Sequence, residues 1–536
     1  MSTTRQPNYK VSRDPDRTDF CYYPFFQVLM TAEGKYKACS KHGDFITHEG
    51  RVLTATEATP TDAWNSDYMQ KLRSNFKSGV RSHGCRECWR EQDMGLKPMR
   101  YDSYFYPIPD HQVEDPRSPM RIEINASNVC NLRCRICSPS ASHKWIREAK
   151  ELYGWDEEVH INLTPENRQV IESWLPNMIE LGFFGGEPLL SDDNIALLEH
   201  CVKTGHSKHI KVLINTNGTV YDDRLVALFE HFDQVLLNFS IDDVGHRFEY
   251  QRKGANWNKV VENIGRYMAV GGTTDEDRIC LKLCCTVSTL NMYYFPEYFE
   301  TFNRLFPGMR VYWNLLYDPW QLSVQLLPED IKQVIRERLR QEMDTSYEQT
   351  EFGTKTVDTL LTYLDGADDR SFDGFFHHIA KHDAYRKESY QDVFPEFWKH
   401  IQDRAPADLK TSQSIPTPAM ISDETYKTAK HVLNERVLPL RHDRKGLAEH
   451  EEAIRPALFS FLEACIHRFG FPADQERAKH ARFRQLYEDD AFDRPGFLVA
   501  LSTYGCVRIA HLIHEHTTDD LEVVLREQYM STYDVV

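Results

Sequence analysis

The sequence has no apolar run approaching the ~18 residues that span a bilayer as a helix, no internal repeat and no low-complexity tract. Met1–Arg17 is polar and charged and lacks the apolar core of a secretory signal, so a cytoplasmic address and no membrane partner are expected. Positive charge is scarce: 64 Lys and Arg against 81 Asp and Glu give a formal net charge of −17. Such a chain gains little from counterion release at phosphates, which disfavours a broad nucleic-acid-binding surface. With 41% hydrophobic and 27% charged residues, the composition is that of a soluble globular protein. A length of 536 residues exceeds what one core serves, so two to four structural units are expected.

Cysteine is present and unevenly spread. Seven of the 13 lie in the first 137 residues: Cys21, Cys39, Cys85, Cys88, Cys130, Cys134 and Cys137. Cys201 stands alone, Cys280, Cys284 and Cys285 form a second set, and Cys465 and Cys506 are isolated. A reducing compartment excludes a disulfide framework, and closely spaced thiols near one end point to metal.

From residue 120 to about 316, strand-like and helix-like patterns alternate. The strands are Met120–Ala126, Ile179–Phe184, Ile210–Ile214, Gln234–Ile241, Ile279–Val287 and Arg310–Leu316. Helices are expected between them, one opened by Thr164 with Pro165 at its first position. Six strands joined by helical crossovers predict an α/β fold with a parallel sheet, fewer units than the eight of a closed barrel. Residues 1–119 read differently, with a hairpin of Phe26–Met30 and Tyr36–Ala38 around Glu33-Gly34, then loop-rich sequence. Residues 326–536 read as mainly helical, for example over Pro328–Met343 and Glu449–Phe469, with a linker at Thr411–Ser422.

Cys130-Asn-Leu-Arg-Cys134-Arg-Ile-Cys137 places three thiols on a tight loop directly after a strand. Thiolates are soft ligands for iron–sulfur clusters or zinc; a zinc knuckle and reduced core thiols are the alternatives at this point. Three thiolates can hold three irons of a cubane and leave the fourth open to a ligand, as catalytic zinc sites keep one position open. Gly185-Gly186-Glu187-Pro188 follows the second strand, Asn215-Thr216-Asn217-Gly218 ends the third, and Ser240-Ile-Asp242-Asp243 ends the fourth. The carboxyl ends of parallel strands are where α/β folds bind ligands.

The C-x3-C-x2-C loop, the GGE segment one strand later and the ordered polar strand ends resemble the radical S-adenosylmethionine (SAM) superfamily. In that family the residue before the third cysteine is usually aromatic; here it is Ile136, which still offers adenine an apolar contact. The resemblance implies a partial (βα)6 barrel over residues 120–325, with a [4Fe–4S] cluster on Cys130, Cys134 and Cys137. It also implies that Gly185, Gly186 and Glu187 bind the methionyl ammonium of SAM. Asn217 joins the SAM-binding set. Ser240 and Asp242 would face ribose hydroxyls or the methionyl carboxylate, and Arg252 would pair with that carboxylate.

Cys21, Cys39 and the pair Cys85-Arg-Glu-Cys88 set thiols on each side of a small hairpin and beside Trp89. This resembles the twitch half of a SPASM domain, which carries an auxiliary iron–sulfur cluster and here precedes the barrel. Zinc on four cysteines and unligated core thiols remain the alternatives. The expected fold is thus a partial barrel with an N-terminal cluster-binding domain, residues 1–119, and a mainly helical extension, residues 326–536.

The resemblance implies an enzyme that reductively cleaves SAM to a 5′-deoxyadenosyl radical for hydrogen abstraction from a peptide or small-molecule substrate. Electrons would come from a partner such as flavodoxin or ferredoxin. The rival is a non-catalytic zinc-binding interaction protein on a degenerate barrel. Cys280, Lys282 and Cys284 alternate on one strand face and are read as core. His378 and His382, and His511, His514 and His516, have ligand-like spacing without an accompanying thiol or carboxylate motif, and are read as ordinary side chains.

Overall fold

The computed structural model describes residues 19–125, 127–155, 163–343, 356–368, 370–406, 444–469 and 473–489, with residues 431, 492, 494–495 and 497–498. The chain divides into two compact units. The first comprises residues 1–48, 53–148 and 157–411; the second comprises 49–52, 149–156 and 412–536.

Ten strands of the first unit matter here: β1 (Gln27–Met30), β2 (Tyr36–Lys37), β3 (Arg121–Ile124), β4 (Arg133–Cys134), β5 (Glu180–Phe183), β6 (Lys211–Thr216), β7 (Gln234–Ser240), β8 (Arg252–Lys253), β9 (Ile279–Val287) and β10 (Val311–Leu315). Eight of them make one sheet in the order β10-β9-β7-β6-β5-β3-β1-β2. All neighbours run parallel except β1 and β2. The six strands expected from residue 120 onward all form, and Ala126 lies outside the described residues. The crossover helices start and stop on local signals. Thr164 accepts the N–H of Asn167 with Pro165 behind it, and Ser191 accepts that of Asn194. Gly205 ends its helix at φ 80°.

The expected hairpin also forms, as β1 and β2, with one addition that local pattern does not contain. β1 lies parallel to β3, Gln27 opposite Arg121 and Met30 opposite Ile124, so residues from the N-terminal region extend the main sheet. Which distant strand fills an open sheet edge is decided by tertiary packing, not by the strand's own residues.

Strand register sorts the side chains by face, since successive residues point to opposite sides. Val28, Ile122, Leu181, Val212, Val235 and Leu281 share the face that packs on the helices. There Trp313 meets Phe295 and Phe299 at ring distances of 5.1 and 5.5 Å. The opposite face carries Gln27, Arg121, Glu180, Lys211 and Gln234 in one row, and Ser240 beside Cys284 nearer the strand ends. On that face the buried polar groups pair with one another, Arg121 with Glu123 and Glu180.

Beyond β10 the first unit is helical, with Glu329–Glu342, Thr356–Leu364, Asp373–Arg386 and Pro395–Ile401. The second unit contributes Arg444–Phe469 and Ala473–Glu488. Thr411–Ser422, Cys506, His511, His514 and His516 lie outside the described residues. Among those described, no helix is long and apolar enough to cross a membrane.

Candidate functional site

The cysteine loop leaves the end of β3 and is pinned on several sides. Its β4 segment pairs antiparallel with β8, Cys134 opposite Arg252. The Cys130 N–H donates to His143 Nδ1 at 3.1 Å, and Trp145 Nε1 donates to the Cys134 carbonyl at 2.7 Å. Cys130 and Cys134 are buried around Leu132, with Ile136, Cys137 and Ala255 against them. Donors are turned toward the sulfurs: Leu132 N–H at 3.4 Å and Asn217 Nδ2 at 3.9 Å from Cys130 Sγ, and Arg252 Nη1 at 3.8 Å from Cys134 Sγ. A hydrogen bond from Cys137, helped by the charge of Arg252, draws the Cys134 thiol down to about 7. The same bond pushes Cys137 well up, and burial pushes Cys130 to about 11.

The GGE turn sits directly against this loop. Gly185 and Gly186 have φ of 73° and 56°, and a Cβ on Gly186 would stand 2.3 Å from the Val129 carbonyl oxygen. Only glycine tolerates both demands. The Glu187 N–H donates to Val129 O at 2.8 Å, and its carboxylate is buried. That carboxylate accepts from Thr216 Oγ1 and the Asn217 N–H, both at 2.7 Å, and from the Leu189 N–H at 3.2 Å. Burial still lifts it to about 7 against these bonds.

Asn217 donates to Asn131 Oδ1 at 2.9 Å, bracing the cysteine loop. Asp242, at the end of β7, pairs with Arg252 Nη2 at 2.8 Å and accepts the Thr286 N–H at 2.9 Å. The structure therefore gathers Gly185, Gly186, Glu187, Asn217, Asp242 and Arg252 around the three thiols, with Ser240 half-buried two residues before Asp242. Asp242 and Arg252 bond each other, and Glu187 holds Leu189, Thr216 and Asn217, a bracing role that residue type and spacing do not reveal.

The four N-terminal thiols meet as well. Cys21, Cys39, Cys85 and Cys88 line one cavity of about 20 Å³, with Lys41, His42, Met99 and Arg100. That is about the room of one water molecule. Burial pushes Cys21 up to about 12 and Cys88 to about 11, and the thiols raise one another further; Cys39 and Cys85 are pushed well up. Cys85 Sγ lies 3.6 Å from His42 Nδ1. Arg100 is buried with its guanidinium 4.0 Å over the Trp89 ring, a fixed positive charge beside the thiols. The side chains converge without closing to coordination distance: among the described residues no group of three or more His, Cys, Asp or Glu is arranged to hold a metal ion as it stands. A groove of about 520 Å³ shares Lys41 and Met99 with this cavity and runs along β10 and the helix Thr356–Leu364. Its size is that of a ligand site.

Cys280, Lys282 and Cys284 are buried, as expected of core residues, with Lys282 Nζ 3.1 Å from Asp275. His382 Nδ1 donates to Glu148 Oε1 at 2.8 Å, with its ring 4.4 Å from that of His378. Residues around the loop that the sequence did not single out include Arg133, Arg135, Glu148, Asp383, Arg386 and Glu388. Their pairings span up to 253 residues, and no local signal marks them.

Residues 124–300 match the family model described as the radical SAM superfamily, so this stretch is a radical SAM domain. The GTP 3′,8-cyclase 3 of Mycobacterium bovis is 28% identical over 156 residues, 28% of this chain and 38% of that protein. The radical SAM cyclopropyl synthase TigE of Paramaledivibacter caminithermalis is 24% identical over 147 residues, 26% of this chain and 30% of that one. Among solved structures, Streptococcus suis SuiB bound to S-adenosylmethionine is 14% identical with a TM-score of 0.28, covering 54% of this chain and 65% of that one. The chain thus spans less than two fifths of the length of the first two relatives. Both curated relatives are enzymes by name, and the matched stretch is an enzyme domain of the family whose chemistry uses SAM and a [4Fe–4S] cluster.

The residues present fit those groups. Two of the three thiols of the loop, Cys130 and Cys134, are met by N–H donors, as the sulfurs of an anionic cluster require. Arg252 Nε is buried without a partner among the described residues, and the Gly186 turn leaves no room for any side chain at the loop.

Proposed function

We propose that this protein is a radical SAM enzyme in which Cys130, Cys134 and Cys137 hold the SAM-binding cluster, and Cys21, Cys39, Cys85 and Cys88 hold an auxiliary iron–sulfur cluster. The observation that carries the reading is the set of N–H donors aimed at the sulfurs of a three-thiol loop inside the domain matched over 124–300. When reduced, the bound cluster supplies one electron that cleaves SAM to methionine and a 5′-deoxyadenosyl radical able to abstract a substrate hydrogen. The chain's own residues do the rest. Burial of the Cys130 and Cys134 side chains keeps water away. Arg252, fixed by Asp242, lends positive charge to Cys134 and stands ready for an anionic ligand group. Glu187 holds the Thr216–Asn217 corner in place and retains acceptor capacity for an ammonium.

The substrate is a peptide or a small molecule, and the groove along β10 that adjoins the four-thiol cavity is the place offered to it. A flavodoxin or ferredoxin is the reductant this chemistry calls for. Residues 1–119 then serve the auxiliary site, 120–325 the SAM chemistry, and 326–536 a helical extension.

The test is metal and sulfide analysis of anaerobically purified protein, with 5′-deoxyadenosine production driven by dithionite over a SAM titration. Iron with matching sulfide, and product that vanishes in Cys134→Ser, is expected. A colourless protein with stoichiometric zinc and no sulfide leaves only the non-catalytic zinc reading. For the auxiliary site, the variant with Cys130, Cys134 and Cys137 all changed to Ala should retain about one cluster on its four remaining thiolates. Zinc there, or no metal in a folded variant, defeats that half of the proposal.

A further inference from the structure

The cysteine loop is gripped by residues that lie beyond the matched domain. Arg135, between Cys134 and Cys137, has a fully buried side chain. Its Nη2 meets Asp383 Oδ1 at 2.6 Å and Glu388 Oε2 at 2.8 Å, its Nε donates to the Tyr250 carbonyl at 3.2 Å, and its guanidinium stacks 3.6 Å over the Tyr250 ring. The Tyr250 hydroxyl donates to the same Asp383 oxygen at 2.7 Å, and Lys253 holds Glu388 at 2.7 Å. On the other side of Cys134, Arg133 meets Glu148 at 3.1 Å. Glu148, itself buried, is held by His382 Nδ1 and Arg386 Nε, both at 2.8 Å. Among the described residues, three carboxylates thus answer four cations, one of which, Arg386, is buried with Nη1 and Nη2 left without an acceptor. Arg386 stands 5.1 Å over the ring of Trp145, whose Nε1 bonds the Cys134 carbonyl.

A buried guanidinium is costly unless its partners hold it in one geometry, and a chain segment tied to it inherits that geometry. We propose that the helix Asp373–Arg386 and the turn after it are a positioning element for the cluster. Asp383 and Glu388 fix Arg135, and through it the Cys134–Cys137 segment; Arg386 fixes Glu148 and sets a permanent positive charge beside the loop. This rests on the reading of Cys130, Cys134 and Cys137 as ligands of the SAM-binding cluster. It assigns part of the helical extension to the chemistry of the domain before it.

Cluster potentials follow net charge and hydrogen bonding around the sulfurs. Reduction adds one negative charge, so a nearby cation raises the potential and a nearby carboxylate lowers it. Removing carboxylates and removing Arg386 must therefore act in opposite directions, which a general loosening of the fold would not do. The experiment is a dithionite redox titration of the full-length, anaerobically reconstituted protein, followed by electron paramagnetic resonance. It reads only the signal that changes when SAM is added, since that cluster alone has an open iron. Asp383→Asn combined with Glu388→Gln should keep its iron, raise the potential of that signal and cut 5′-deoxyadenosine production at least tenfold. Arg386→Gln should lower the potential. Arg404→Gln, which loses only the exposed pair with Asp330, should change nothing. Unchanged potentials, or shifts of the same sign in both variants, overturn the proposal. Should the double variant fail to fold, Glu388→Gln alone leaves Asp383 on Arg135 and must raise the potential by less; no shift there also overturns it. A SAM-responsive signal that survives in Cys134→Ser instead sinks the ligand assignment, whatever the potentials do.

Discussion

Arg252 joins Asp242 to Cys134: one nitrogen meets the Asp242 carboxylate at 2.8 Å, and the other lies 3.8 Å from the Cys134 sulfur. Both side chains of the ion pair are almost fully buried. Breaking such a pair from one side strands the other charge and costs ~3–5 kcal/mol. Asp242→Asn should therefore lower the unfolding free energy of the apoprotein by an amount of that order, seen as a lower denaturant midpoint, and weaken SAM binding in the reconstituted enzyme. An unchanged unfolding curve would show that the pair is not formed.

Glu187→Gln replaces an acceptor of three protein hydrogen bonds by an amide that turns an NH2 toward one of those donors. An unsatisfied buried donor costs ~1–3 kcal/mol, which urea unfolding of the apoprotein should read. A charge-assisted bond to the ammonium of SAM is worth ~1.5–3 kcal/mol, so SAM affinity should fall roughly 10- to 100-fold. Iron content should stay the same. A stability loss without a change in SAM affinity would confine Glu187 to bracing the Asn217 corner.

Gly186→Ala forces a side chain into the left-handed region at φ 56° and against the Val129 carbonyl, 2.3 Å from the new Cβ. The backbone alone costs ~1–2 kcal/mol, and the contact can be relieved only by moving the residue that precedes Cys130. Cluster retention on a desalting column, measured as iron per chain, should drop while the far-ultraviolet circular dichroism stays native. Full retention would show that the turn and the cysteine loop are not in contact.

Asp243 is buried and lifted to about 7, chiefly by burial, with Arg247 and the Val244 N–H pulling the other way. Its folded value lies above the unfolded one, so the native state holds the extra proton between about pH 4 and pH 7. The stabilisation this gives is fully present below the unfolded value and is lost as pH rises through about 7. Wild-type apoprotein should accordingly lose about 2–4 kcal/mol between pH 5 and pH 8, at ~1.4 kcal/mol per unit. Asp243→Asn should reduce that slope, leaving the share that Glu187, also lifted to about 7 by burial, contributes with the same sign. Equal slopes in wild type and variant would refute the assignment.

The six central strands are legible because each is a short apolar run bounded by turn residues, and the shared loop of Cys130, Cys134 and Cys137 because they lie within eight residues of chain. The convergence of Cys21, Cys39 and the Cys85–Cys88 pair is not fixed by spacing, which does not say that three separate segments meet. Two features are not legible at all. β1 pairs with β3 across about 90 residues of chain, and Arg135 finds Asp383 at a separation of 248. Neither partner carries a local pattern that names the other; burial and charge neutralisation in the folded chain choose them.

The parallel pairing of β1 with β3 has a consequence for the order in which the molecule assembles. It closes a loop that runs from Met30 to Arg121 and contains Cys39, Cys85 and Cys88, with Cys21 just before it. Closing a loop of that length costs chain entropy that grows with the logarithm of its size, before any strand contact repays it. A metal centre on those four thiols would close the same loop in smaller steps, at the hairpin and then at the Cys85–Cys88 helix. With such a centre, its loading and the docking of the sheet's outer strands would be one coupled equilibrium: each would lower the entropic barrier to the other, and a chain starved of metal would leave that edge of the sheet to open and close by itself.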